Sequence, residues 1–98
     1  MNLIFTEPFH ASVAEIKEYI SRDSTYYATL YIRKMITHIE ILKRNSYLGR
    51  VIPEQDDINY RELIYGKYRV LYKVSKDKVY LIRVIHGKRK FSKRFLKF

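Results

Sequence analysis

The sequence predicts an α+β protein, a single domain over residues 1–98, with the order β-α-α-β-β-β. Three observations carry this. Apolar residues recur every three or four positions from Phe9 to Leu42, and they alternate from Tyr60 to His86. Between these regions, Leu48 to Asn59 follows neither period.

Leu3-Ile4-Phe5 is a short apolar stretch, read as an N-terminal strand. Thr6 is placed to cap a helix and Pro8 fits its first turn. Phe9, Val13, Ile16 and Ile20 then make one helical stripe, with Glu15, Lys17, Glu18 and Arg22 off it. That helix is expected to end near Ser21-Arg22-Asp23. Ser24 would cap a second helix, whose stripe is Tyr27, Tyr31, Met35, Ile39 and Leu42 and whose pattern reaches Arg44. Two amphipathic helices joined by a turn of about two residues form an antiparallel helical hairpin.

Leu48 to Asn59 contains Gly49, Pro53, Glu54, Asp56 and Asp57 and reads as a loop. Tyr60 to Ile64 is a strand, followed by a tight connection at Tyr65-Gly66-Lys67. Tyr68, Val70, Tyr72 and Val74 alternate with Arg69, Leu71 and Lys73. After a turn at Ser75-Lys76-Asp77, Val79, Leu81, Arg83 and Ile85 alternate with Tyr80, Ile82, Val84 and His86. β-Branched and aromatic residues dominate both runs. Three strands with short turns give an antiparallel meander. A basic C-terminal tail follows from Gly87, in which Phe91, Phe95 and Phe98 have the spacing of a short amphipathic helix. The expected core is Phe9, Val13, Ile16, Ile20, Tyr31, Met35, Ile39, Leu42, Val70, Tyr72, Ile82 and Val84.

The chain has 98 residues, 47% apolar and 15% aromatic, which is enough hydrophobic material to fold. There are no cysteines, so disulfide frameworks, thiol catalysis and cysteine–zinc sites are excluded and a reducing, cytoplasmic setting is expected. No apolar run approaches the roughly 18–20 residues of a membrane span. The N-terminus has neither the basic region nor the apolar stretch of a secretory signal.

The net charge is +10, from 20 basic and 10 acidic side chains. Residues 1–60 carry 7 basic and 8 acidic groups, a net −1, whereas residues 61–98 carry 13 and 2, a net +11. Such asymmetry points to a polyanionic partner. The alternative is a charge that serves only solubility, although a solvated face normally interleaves both signs.

No phosphate-binding glycine loop, dinucleotide fingerprint or His-Glu-X-X-His pattern is present, and no metal or cofactor is expected. His10 and His38 read as ordinary helix-surface residues. His86 ends the last strand beside Gly87-Lys88-Arg89. There it either binds a phosphate or shuttles a proton, or else it simply caps the strand. Arg69 lies in mid-strand. It either faces solvent with Leu71 and Lys73, or is held rigidly to meet a phosphate or carboxylate bidentately.

Tyr60-Arg61-Glu62-Leu63, Gly66-Lys67-Tyr68-Arg69-Val70-Leu71-Tyr72, Asp77-Lys78-Val79 and Val84-Ile85-His86-Gly87-Lys88-Arg89 together resemble the RelE/ParE family of bacterial toxins. Leu48-Gly49-Arg50 with Pro53-Glu54 fits the loop after that family's hairpin. The resemblance covers essentially the whole chain. It implies the growth-arresting toxin of a type II toxin–antitoxin module, working in the bacterial cytoplasm without a cofactor. Its partner would be a cognate antitoxin with an acidic tail, through which alone it would meet operator DNA.

RelE-like members cleave mRNA in the ribosomal A site, and ParE-like members inhibit DNA gyrase. Arg69 and Arg89 fall where the cleaving members carry arginines. Tyr60 and Glu62 fall where those members carry lysines, and Phe95 falls near their tyrosine. The resemblance therefore favours the ParE-like or plasmid-stabilisation branch and DNA gyrase, with the ribosome and mRNA as the alternative. A ribonuclease would use Arg69, His86 and Arg89 as catalytic residues converging on one groove. Antitoxin or target binding is expected at Arg61, Arg83, Lys88, Arg89, Lys90, Phe91, Lys93, Arg94 and Phe95, with the antitoxin covering the basic sheet face and the tail. A third reading is a non-catalytic nucleic-acid-binding module, its strands mixing cations and aromatic side chains as in a stacking platform.

Overall fold

The computed structural model describes all residues from Met1 to Phe98. Strand β1 spans Asn2–Phe5, helix α1 Glu7–Ser21 and helix α2 Thr25–Ile39. Strands β2 (Arg50–Val51), β3 (Tyr60–Tyr65), β4 (Tyr68–Ser75) and β5 (Lys78–His86) follow. The expected caps are in place: the Phe9 amide donates to the Thr6 hydroxyl at 3.4 Å and the Tyr27 amide to Ser24 at 3.0 Å. The α2 pattern does not stay α-helical to Arg44, because the chain tightens to a 3₁₀ turn over Glu40–Lys43 that still buries Leu42.

The five strands form one sheet in the order β1-β5-β4-β3-β2. β3, β4 and β5 are the expected antiparallel meander. β1 lies parallel to β5, pairing Asn2 with Lys78 and Phe5 with Leu81. Within the predicted loop, Arg50 and Val51 add a two-residue strand to the free edge of β3. At Gly49 the chain crosses so near β3 that a Cβ would fall 2.4 Å from the Glu62 carbonyl oxygen. The β3–β4 turn is a two-residue Gly66-Lys67 loop in which Gly66 takes φ 55°, as a primed hairpin turn requires.

The helical hairpin covers one sheet face. Phe9, Ile16, Met35, Ile39 and Leu42 pack there on Leu63, Val70, Tyr72, Val74, Val79, Leu81 and Val84. Val13, Ile20 and Tyr31 contribute from the margin, half-buried rather than central. Beyond Phe5 the edge of β5 has no strand beside it, and α1 takes over the pairing. The Thr6 hydroxyl donates to the Leu81 carbonyl at 2.8 Å, and the Val84 amide donates to the buried Ser12 hydroxyl at 2.9 Å.

One expected core residue belongs elsewhere. Leu71 pairs with Arg83 but Tyr72 pairs with Leu81, so Ile82 is an extra residue in β5. This bulge breaks the strict alternation. It keeps Leu81 and Val84 under the helices and turns Ile82 to the outer face. There Ile82 joins Ile52, Leu71, Ile85, Phe95 and Leu96 in a second, smaller core. The tail forms its lid. It is no amphipathic helix but a single 3₁₀ turn over Lys93–Leu96. Phe95 and Leu96 are adjacent in sequence and both buried, which an extended approach and a tight turn allow and a helical stripe does not.

Candidate functional site

Charge collects on the outer face. Strand alternation puts Tyr60, Glu62 and Ile64 there from β3, and Arg69, Leu71 and Lys73 from β4. Glu62 is wholly buried, yet both its oxygens are paired. One carboxylate oxygen accepts from Nε of Arg69 and the other from Nε of Arg50. Arg69 also donates both terminal nitrogens to Glu54, at 2.8 and 3.3 Å. The hydrogen bond from Arg69 holds the Glu54 carboxyl below its usual range. Arg69 is itself pushed up, chiefly by the same bond. Of the two expectations for Arg69, the solvent-facing one fails and the other is met. The side chain is buried and its fork meets a carboxylate bidentately, but that carboxylate is Glu54 of the same chain, with Glu62 on Nε.

The tail surrounds this group with cations. The Arg69 guanidinium lies 5.6 Å from the Phe91 ring, and Phe91 meets Phe95 edge-on at 6.1 Å. Arg83, Arg89 and Arg94 lie 5.7, 4.6 and 6.0 Å from the Phe95 ring. Arg83 is half-buried and donates to the Phe95 carbonyl at 3.3 Å. Lys88, Lys90 and Lys93 are exposed along the same segment. Phe95 does not serve as a surface anchor: it is 4% exposed because the outer core lies beneath it. Phe91 is half-buried, and the open aromatic of the tail is Phe98, 54% exposed.

Arg61 sits at the other end of the sheet. Its guanidinium donates to the carbonyls of Ile58, Tyr47 and Gly49 and stacks 4.7 Å over Tyr47. It braces the loop before β3, and its fork is occupied there.

His86 pairs with Tyr68, one residue out of step with Arg69, so the two side chains leave opposite faces of the sheet. The structure brings His86 and Arg89 together but not His86 and Arg69. The His86 ring packs edge-on against Tyr68 at 5.7 Å, and its Nδ1 accepts the Lys88 amide at 3.1 Å. In the neutral ring the proton is then on Nε2, and the one ring lone pair, on Nδ1, is taken up by the Lys88 amide.

His86 and Arg89 line the mouth of a cleft of about 620 Å³ between the helical hairpin and the β3–β4 turn. Its walls are Ile16, Tyr19, Tyr27, Tyr31 and Tyr68, with Lys67 on the rim. Burial pushes the Tyr31 and Tyr68 phenols up, so both stay neutral hydrogen-bonding groups. The cleft escaped the sequence reading because its aromatic residues lie in three distant segments. Glu62 left a clearer signal. A two-residue turn at Gly66-Lys67 fixes Ile64 opposite Arg69, which sets Glu62 diagonal to that arginine.

No group of three or more His, Asp or Glu side chains is gathered as a metal would require. No helix is long and apolar enough to cross a membrane. One sheet face thus lies under the helical hairpin, and the opposite face is cationic with its central arginine internally neutralised. Residues 3–91 match the family model described as the ParE toxin of the type II toxin–antitoxin system parDE, and the chain belongs to that family. No curated protein matches it. A solved chain of the chromosomal ParDE TA system from P. aeruginosa superposes with a TM-score of 0.76 at 15% identity. The match covers 90% of this chain and 97% of that one, and at this identity the likeness is one of fold.

Proposed function

We propose that this toxin arrests growth by inhibiting DNA gyrase through protein–protein contacts, and that a cognate antitoxin with an acidic tail neutralises it. The observation that carries this reading is the state of Arg69. Cleaving an RNA phosphodiester needs donors free to meet developing charge and a base within reach of the 2′-hydroxyl. Arg69 is held by Glu54 and Glu62, and His86 leaves the opposite face with its Nδ1 already bonded. Phe95 is buried and has no hydroxyl.

Arg89 suggests the antitoxin's path. It lies over Phe95 on the outer side and also lines the tyrosine cleft on the helical side. An acidic, amphipathic chain passing the end of the sheet would meet Lys97, Arg94, Lys93 and Lys90, then Arg89, then an apolar cleft. Such capture weakens with salt, because exposed charges are screened over about 10 Å at 0.1 M.

The test is the purified toxin in two assays, gyrase supercoiling and mRNA cleavage in a translating lysate. Gyrase inhibition with intact mRNA is the expected outcome. Site-specific cuts in the A site, or gyrase fully active at excess toxin, would overturn the reading.

A further inference from the structure

The outer face holds more unpaired positive charge than its own fold uses. Of the 13 cations in residues 61–98, only Arg69 lies in an ion pair. Three of the others, Arg83, Arg89 and Arg94, converge on the single Phe95 ring. Arg89 and Arg94 donate no side-chain hydrogen bond within the protein, and Arg83 donates only Nε, to a carbonyl. Most N–H groups of the three guanidinium forks thus have no partner within the protein, while packing on one ring limits where the forks can move. Three like charges gathered without a carboxylate make a concentrated site for an external anion, and the planar fork suits phosphate.

The same face carries open aromatic surface. Phe98, 54% exposed, lies 5.1 Å from Tyr80 with its ring tilted by 34°. Tyr80 and Arg83 are three residues apart on β5, both against the outer core. Further along, the Lys73 ammonium lies 5.2 Å over the half-buried Tyr60 ring. Cations alternating with aromatic rings are the recognition chemistry of unpaired nucleotides, whose phosphates meet guanidinium groups and whose bases stack on aromatic faces. An acidic peptide would use the cations but has no flat face to set on Phe98, and a duplex keeps its base faces stacked inside.

We infer that Arg83, Arg89 and Arg94 form a phosphate-binding site for single-stranded nucleic acid, with the Tyr80–Phe98 pair as its stacking platform. The site binds without cleaving and without sequence preference. It does not rest on the choice between gyrase and ribosome, since neither assay for those targets reads it.

The experiment is fluorescence anisotropy of the full-length toxin with a labelled oligothymidylate, its duplex with oligoadenylate, and a labelled oligoglutamate of equal charge. Tight binding of the single strand at low salt is expected. At a slope of roughly 0.7 per phosphate on a single strand, three contacts give a log–log salt dependence of about −2. Arg89→Gln and Arg94→Gln, both at exposed positions, should each reduce that slope by about 0.7. Phe98→Ala should weaken binding roughly 5- to 150-fold, the range for losing one stacked base, and leave the slope unchanged. No single-strand binding at low salt would overturn the proposal. So would unchanged affinity in both arginine variants, with folding verified by circular dichroism. Oligoglutamate bound as tightly as the oligonucleotide, and unaffected by Phe98→Ala, would reassign the site to an acidic protein chain. Duplex bound more tightly than the single strand would remove the stacking platform.

Discussion

The carboxylate of Glu62 on β3 receives the guanidinium Nε–H of Arg69 on β4 across a diagonal of the hairpin, and the Glu62 side chain is 0% exposed. A buried acid of this kind is tolerable only because both oxygens are met by arginines. The pair joins β3, β4 and the Arg50 edge, and Glu54 adds the loop before β3.

Glu62→Gln removes the charge that balances both Arg50 and Arg69. Breaking a buried pair from one side typically costs about 3–5 kcal/mol, and a fall of that size in unfolding free energy is expected from urea denaturation. The double substitution Glu62→Leu, Arg69→Met should cost clearly less than Glu62→Gln alone, because it leaves no uncompensated charge at the centre of the face. A double variant as unstable as Glu62→Gln would contradict this account.

Glu54 gives the fold a sensitivity to acid. Its carboxyl titrates below the ordinary value of 4.5 in the folded protein, through its bond to Arg69. A lowered folded-state value means stability is present above pH 4.5 and is lost as the pH falls through the folded value. Thermal melts between pH 7 and pH 3 should show this acid-side loss. In Glu54→Gln the loss should be smaller, with a lower melting temperature at pH 7.

Ile39 and Ile82 are both fully buried, one under the helices and one under the tail. Truncation of either to alanine should cost roughly 2–5 kcal/mol. The two should differ in hydrogen exchange. Ile82→Ala should raise exchange and proteolysis in residues 88–98, and Ile39→Ala should leave that segment protected until global unfolding. Equal effects on the tail would mean that the outer core is not a separate unit.

Tyr72 holds the crossing at Gly49. Its phenol accepts the buried Gly49 amide at 2.9 Å. Tyr72→Phe leaves that donor unmet, a cost of about 1–3 kcal/mol, measurable as a shift in the urea midpoint. Gly49→Ala should be more harmful, because its Cβ would meet the Glu62 carbonyl as well as the Tyr72 hydroxyl.

Much of the fold was legible because the hairpin helices and the meander each carry a local period, marked by Thr6, Ser24 and Gly66. What stayed hidden depends on pairing between distant segments. The bulge at Ile82 cannot be read from alternation alone, since each of the two alternating sets of β5, Val79-Leu81-Arg83-Ile85 and Tyr80-Ile82-Val84-His86, is mostly apolar. The β1–β5 pairing and the two-residue strand at Arg50 are set by which sheet edges remain open, and no residue type announces them. At the site, the charge asymmetry marks residues 61–98. It did not distinguish Arg61 and Arg69, whose forks are occupied internally, from Arg83, Arg89 and Arg94, whose forks are open. That distinction depends on Glu54, on Glu62 and on three loop carbonyls. The same feature complicates simple deletions. Removing residues 91–98 strips the lid from Leu71, Ile82 and Ile85, so lost toxicity in such a truncation reports instability as readily as lost contact. Charge substitutions at Lys88, Lys90 and Lys93 avoid this, because these side chains are exposed.

The parallel pairing of β1 with β5 also sets the order in which the protein can be made. Asn2 is registered against Lys78, although these are among the first and last ordered parts of the sheet to be synthesised. The helical hairpin and the β3–β4 hairpin close over short stretches and can form as soon as they are translated. The edge at β1 cannot. Leu3 and Phe5 must wait, apolar and unpaired, until the chain through Leu81 has been added, and long-range closure of this kind slows folding. A nascent chain therefore carries a helical hairpin long before it carries a complete sheet. The cationic face assembles only after β5 and the tail have emerged.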